Sequence, residues 1–202
     1  MKRAGIPAAL LAAVMLLPSA ASGGAQIYEP LAESVRGKLS AAIADRSAPE
    51  LVFRDQDDGR RWISEMSHRL ERRIADRKQR LELLRTVHFE ALRAGLDPQL
   101  VLGVIEVESG FRKYAVSRAG ARGYMQVMPF WVKVVGNRGD NLFHLRTNLR
   151  YGCVILRHYL DMEKGDYFRA LGRYNGSLGN PEYPRAVLVA WKVRWGYQGA
   201  TS

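Results

Sequence analysis

The sequence predicts a mainly α-helical domain on three observations. Apolar residues recur at helical spacing through most of its length, no alternating run makes a convincing sheet, and Asp97-Pro98 supplies a cap and a first helical residue ahead of an apolar stretch. The chain has 202 residues, 47% apolar and 25% charged, which is enough core-forming material for one folded domain plus extras. Its single cysteine excludes an internal disulfide and any zinc or iron–sulfur site built on cysteines. Lys and Arg number 31 against 20 Asp and Glu, a net charge of +11 that favours anionic partners.

Residues 1–25 are expected to be a secretory signal peptide. Lys2 and Arg3 are followed by a short apolar run from Ala8 to Leu17, then Pro18 and small residues through Ala25. The run is too short for a stable membrane anchor, and no cysteine is present there to carry a lipid. Export to the periplasm follows as the expected location, with cleavage after Ala21 or Ala25. Cleavage after Ala25 leaves 29 basic against 20 acidic residues, or +9. An apolar first helix of a cytoplasmic protein is the plainer alternative.

Residues 26–59 hold Pro30, Pro49 and the cluster Asp55-Gln56-Asp57-Asp58-Gly59, with only a short helical pattern from Leu31 to Ile43, and are expected to be a poorly structured lead-in. The main domain is expected over 60–196 and a tail over 197–202. From Arg60 onward Trp62, Ile63, Met66, Leu70, Ile74, Leu81 and Leu84 mark one or two amphipathic helices ending at Gly95. Their many arginines alternate with Glu65, Glu71, Asp76 and Glu82, so a solvated helix face is favoured over a nucleic-acid stripe. Residues 98–108 are apolar nearly all round, the pattern of a buried helix. A glycine-rich middle follows, then helical patterns near 148–162, 167–174 and 183–195. Cys153, within an apolar helical run, reads as a small buried hydrophobe. No other stretch is long and apolar enough to span a membrane.

Glu108 breaks the pattern. Leu100, Val104 and Glu108 share one stripe, whereas Glu106 lies roughly 200° round the helix and cannot pair with it. Desolvation on an apolar stripe raises a carboxyl pKa, and the helix C-terminus pushes the same way by about 0.3–1 kcal/mol. Glu108 is therefore expected to hold a proton near neutral pH, as a general acid requires. A carboxylate at a frayed, exposed helix end is the alternative.

The residues that follow carry a resemblance. Glu108-Ser109-Gly110-Phe111, then Ser117, then Gly123-Tyr124-Met125-Gln126-Val127-Met128-Pro129 resemble the signature of the soluble lytic transglycosylase family. Arg173-Tyr174-Asn175-Gly176, the Asn148 to Gly152 helix start and the Tyr183 to Leu188 stretch are similar to further family motifs, so the likeness spans roughly 80–195. Tyr124 departs from the usual Leu, and Gly176-Ser177 from Ala-Gly. The resemblance implies a lysozyme-like fold of the goose type and cleavage of the bond between N-acetylmuramic acid and N-acetylglucosamine in peptidoglycan. Glu108 would serve as the catalytic acid and then as base on the C6 hydroxyl, giving a 1,6-anhydro end without water. It implies substrate contacts for Ser117, Tyr124, Gln126, Met128, Tyr174 and Asn175, Tyr174 being placed to bond near Glu108 or the acetamido group. Core packing is the competing role for Tyr124, Met125 and Met128, and capping of a turn for Asn175.

No metal or cofactor is expected, since the four histidines lack ligand spacing and no phosphate or calcium loop is present. Glycan strands are the expected partner, with a secretion or cell-wall apparatus as a further candidate, and neither nucleic acid nor a membrane anchor is expected. Two other readings stay open. A hydrolytic lysozyme on the same scaffold would need a second carboxylate, Glu182 or Asp140, brought across the cleft. A non-catalytic basic protein that binds glycan or nucleic acid would not depend on Glu108.

Overall fold

The computed structural model describes residues 25–45 and 56–198. The helices are α1 Glu33–Ala44, α2 Gln56–Leu70, α3 Arg77–Arg93, α4 Pro98–Ser109, α5 Phe130–Val135, α6 Leu145–Met162, α7 Tyr167–Asn175 and α8 Glu182–Val189. A π-helical turn over Ala190–Arg194 continues α8. Among the described residues the only β pairing is two isolated bridges, Val116 with Arg122 and Arg122 with Val127. The mainly α class is thus what the periodicity predicts.

α4 forms the axis of the core. Asp97 caps it, accepting from the Gln99 backbone N–H, and Pro98 occupies its first turn. The same carboxylate accepts from Trp191 Nε1 at 2.8 Å, which ties the start of α4 to the π turn. Leu100, Val101, Leu102, Val104 and Ile105 are fully buried, with α3, α8 and the π turn packed around them. Gly103 permits the closest approach, because a Cβ there would sit 3.0 Å from the Trp191 backbone nitrogen. Gly110, at φ 58°, ends the helix in the left-handed conformation and leaves Glu108 in its last turn.

Several arginines of α2, of α3 and of the turn between them are bonded within the fold, consistent with their alternation with acids. Arg69 bonds Glu65 at 2.8 Å, Arg73 bonds Glu106 at 2.5 Å, and the buried Arg80 reaches Ser67 and the carbonyls of Ile74 and Ala75. Glu106 also accepts from Arg194 and from Trp195 Nε1, on the side of α4 away from Glu108. Cys153 is buried and its thiol pKa is pushed well up by desolvation.

The lead-in differs from the poorly structured expectation where it is described. Leu39 and Ile43, four residues apart on α1, are buried and lie against α5 and α6. Arg93 donates to the Ala42 carbonyl and to Asp45, and Arg150 donates to the Ile43 carbonyl, so two cations meet the negative end of α1. The sequence pattern is weak because only two residues of that helix are buried. α2 begins at Gln56, ahead of the expected start at Arg60, with Asp57 and Asp58 in its positively polarised first turn. Pro49 and the leader through Gly24 lie outside the described residues. In the tail, Tyr197 donates to Asp58 at 2.9 Å and so joins the C-terminal end to α2.

Candidate active site

The site gathers where α4, α7 and α8 converge. Glu108 Oε1 accepts a hydrogen bond from the Tyr183 hydroxyl at 2.7 Å, and the Asn175 side chain bonds the same carboxyl group. Asn175 ends α7, which the left-handed Gly176 at φ 72° terminates, and Tyr183 stands in the first turn of α8. Glu108 keeps part of its surface accessible. Its surroundings still raise its pKa to about 8, with desolvation the dominant cause and the two hydrogen bonds opposing it. At neutral pH the carboxyl is therefore mostly protonated. The Tyr183 hydroxyl, itself pushed well up by burial and by Glu108, stays a donor.

Among the described residues, no second carboxylate acts on Glu108. Asp140 accepts from the Tyr151 hydroxyl at 2.6 Å and from the Asn137 backbone, which holds it within its own loop. Glu182 is exposed at the start of α8. Neither is among the groups that set the Glu108 pKa.

The loop from Gly110 to Pro129 forms the neighbouring wall and is latched onto α6. Asn148, fully buried, accepts from Met125 N–H and donates to the carbonyls of Arg122 and Leu142, each at 2.8 Å. Gly123, at φ 74°, leaves room for that amide, and Gly152 makes room for the Met125 side chain. Tyr174, fully buried, donates to the Met125 carbonyl at 2.7 Å. The bond to Glu108 considered for Tyr174 is made instead by Tyr183, a position the sequence marks only as part of the closing helix motif.

The other expected site residues divide between contact and support. The Ser117 hydroxyl accepts from Ala121 N–H at 3.0 Å and braces its turn. Gln126 has a left-handed backbone at φ 48°, and its Nε2 donates to the carbonyls of Ala115 and Gly123. Gln126 O and Met128 N–H are both bonded to the side chain of Gln26, a residue to which the sequence alone assigns no role. Tyr124 is 9% exposed and its hydroxyl pKa is raised by burial and then by Glu82 and Tyr114. Among the described residues, no group of three or more His, Cys, Asp or Glu is arranged to hold a metal ion.

Comparison with known proteins converges on this region. The family model "Transglycosylase SLT domain" matches residues 85–184. A transglycosylase of Enterobacteria phage PRD1 is 35% identical over 126 residues, covering 59% of this chain and 46% of its own length. The membrane-bound lytic murein transglycosylase C of Haemophilus influenzae strain PittEE is 51% identical over 105 residues, covering 44% of this chain and 29% of its own. Among solved structures, an inactive mutant of the lytic transglycosylase Slt from Pseudomonas aeruginosa superposes with TM-score 0.49 at 22% identity, over 55% of this chain and 23% of that one. The chain thus spans less than half the length of the phage and Haemophilus relatives. Glu108, Asn175 and Tyr183 all fall inside the matched stretch, so residues 85–184, which hold the site, are those that match the transglycosylase SLT domain.

Proposed function

We propose that this protein is an exported enzyme that cleaves peptidoglycan strands by lytic transglycosylation. The observation that carries this reading is a single carboxyl group with its pKa raised to about 8 and two hydrogen-bonding side chains, with no second carboxylate acting on it among the described residues. Ordinary glycosidases employ two carboxyl groups, about 5–5.5 Å apart in retaining enzymes and about 6.5–9.5 Å apart in inverting ones. Here the missing second group is supplied by the substrate.

Glu108 gives its proton to the glycosidic oxygen between N-acetylmuramic acid and N-acetylglucosamine as the bond from that oxygen to the anomeric carbon breaks. The substrate's acetamido oxygen bonds to the anomeric carbon and carries the developing charge. The C6 hydroxyl then displaces that oxygen and returns its proton to Glu108. The products are a 1,6-anhydro-muramyl end and a free N-acetylglucosamine hydroxyl, with no water consumed. Tyr183 and Asn175 stabilise the carboxylate between the two proton transfers, since both hydrogen bonds favour the charged form. The hydrophobic surroundings restore the neutral form afterwards. One group can therefore act as acid and base in turn.

Residues 1–25 would deliver the enzyme to the periplasm. Among the described residues no helix is long and apolar enough to cross a membrane. Mass spectrometry of digested sacculi tests the proposal. Anhydro-ended fragments are expected from the wild type, and Glu108→Gln is expected to lower their formation about 10²–10⁴-fold with helicity unchanged. Fragments with reducing ends would overturn the transglycosylase reading, and full activity in the variant would remove Glu108 as the acid.

A further inference from the structure

The segment ahead of α1 runs against the cleft wall. Gln26 is 5% exposed, although neither charge nor apolarity draws it inward. Its side-chain amide donates from Nε2 to Gln126 O at 3.1 Å and accepts at Oε1 from Met128 N–H at 2.9 Å. The same amide bonds the Tyr174 side chain. The Ile27 side chain packs against Gly176, 3.4 Å from where a Cβ there would stand. Gly176 follows Asn175, which bonds Glu108. The segment therefore reaches one residue from the catalytic hydrogen-bond network.

The slot that holds Gln26 recognises an amide. It offers one carbonyl acceptor and one N–H donor, from residues two apart on the same strand of backbone, and the Gln26 side chain answers with one donor and one acceptor. An acetamido group presents the same N–H and C=O pair, and both sugars of the proposed substrate carry one. Beyond Gln26 the hold is slight. Ile27 and Tyr28 are 61% and 53% exposed, Tyr28 meets Phe130 edge-on at 5.6 Å, and Glu29 pairs with Arg173 at 3.3 Å near the surface. At the far end α1 is fixed by Leu39, Ile43 and the arginines at its C-terminus. The segment is thus tethered firmly at one end and closed at the other mainly by the bonds to one amide.

We propose that residues 26–29 form an autoinhibitory strap in which Gln26 occupies an acetamido slot at Gln126 and Met128 until an acetamido-bearing glycan displaces it. This rests on the glycan-cleaving reading above for the identity of the ligand. A closed strap lowers apparent affinity by the fraction of molecules that are open, so weakening it raises affinity without touching the chemistry.

The test measures chitotetraose binding by calorimetry and turnover of sacculi for the whole chain, Gln26→Ala and Glu29→Arg. Loss of the Gln26 side-chain hydrogen bonds in Gln26→Ala is expected to tighten chitotetraose binding roughly fivefold and lower KM on sacculi with kcat unchanged. Glu29→Arg, which disturbs only the exposed pair, is expected to move both quantities the same way, by about twofold. Its readout stands even if Gln26→Ala fails to fold. Unchanged or weaker binding in the folded variants would overturn the strap and make Gln26 a fixed part of the cleft wall. Tighter binding with no anhydro product from any variant would sink the cleavage reading and leave the strap standing. Anhydro products with unchanged binding would do the reverse.

Discussion

A carboxyl group with a pKa near 8 makes folding stability depend on pH in a definite direction. In the unfolded chain Glu108 ionises at its ordinary value of 4.5, whereas in the folded protein it keeps its proton to about 8. Across that window the native state holds a proton that the unfolded state has released, so stability falls as pH rises from 4.5 to about 8. Glu108→Gln removes this dependence. Its expected stability gain over the wild type is about 1–3 kcal/mol at pH 7.5, vanishing near pH 4.5, in urea titrations at both pH values. Equal stability at the two pH values would mean that the carboxyl ionises like an exposed one. Glu108 was legible in the sequence because a carboxylate on an apolar stripe is a local contradiction. Its partner Tyr183 was not, because 75 residues separate the two and nothing in the sequence around Tyr183 is unusual. Gln26 was hidden for the same reason, its contacts lying 100 and 102 residues away.

At the level of elements, the attachment of α1 depends on one buried carboxylate. Glu90, fully buried on α3, bonds Arg93 at 2.9 Å and Arg150 at 3.3 Å, with Arg146 at 3.5 Å. Arg93 and Arg150 in turn hold the last carbonyls of α1. Three cations share one anion, and Arg150 is already shifted down by its burial. Glu90→Ala leaves these cations without their common counter-charge, at an expected cost of about 3–5 kcal/mol. Hydrogen exchange locates the damage. The amides of α1 should lose protection before those of α4, whose burial is apolar and independent of Glu90. Uniform loss across both helices would show that α1 and the core open as one unit. Helices α3, α4, α6, α7 and α8 were legible from periodicity, and α4 also from its cap, whereas α5 lies in the stretch read as a glycine-rich loop. α1 was undervalued because its attachment is polar and long-range, two features that a hydrophobic pattern does not record.

For the whole molecule, the surplus of basic charge acts on encounter rather than on chemistry. Many arginines of α2 and α3 are paired within the fold, yet the full sequence still carries +11. Peptidoglycan, the proposed substrate, bears carboxylates on its lactyl and peptide groups, so on that proposal the field of the whole protein would favour retention on the polymer. Glu108 works differently, since its behaviour is set by desolvation and two hydrogen bonds that salt does not screen. The two contributions separate with ionic strength. Raising NaCl from about 0.1 M to about 1 M shortens the screening length from about 10 Å to about 3 Å. KM for sacculi is expected to rise severalfold over that range while kcat stays constant. Binding of chitotetraose, an uncharged glycan, should change little. A parallel fall in kcat, or an equal loss of chitotetraose binding, would show that charge operates within the cleft, and the assignment of the basic surface to retention alone would fail.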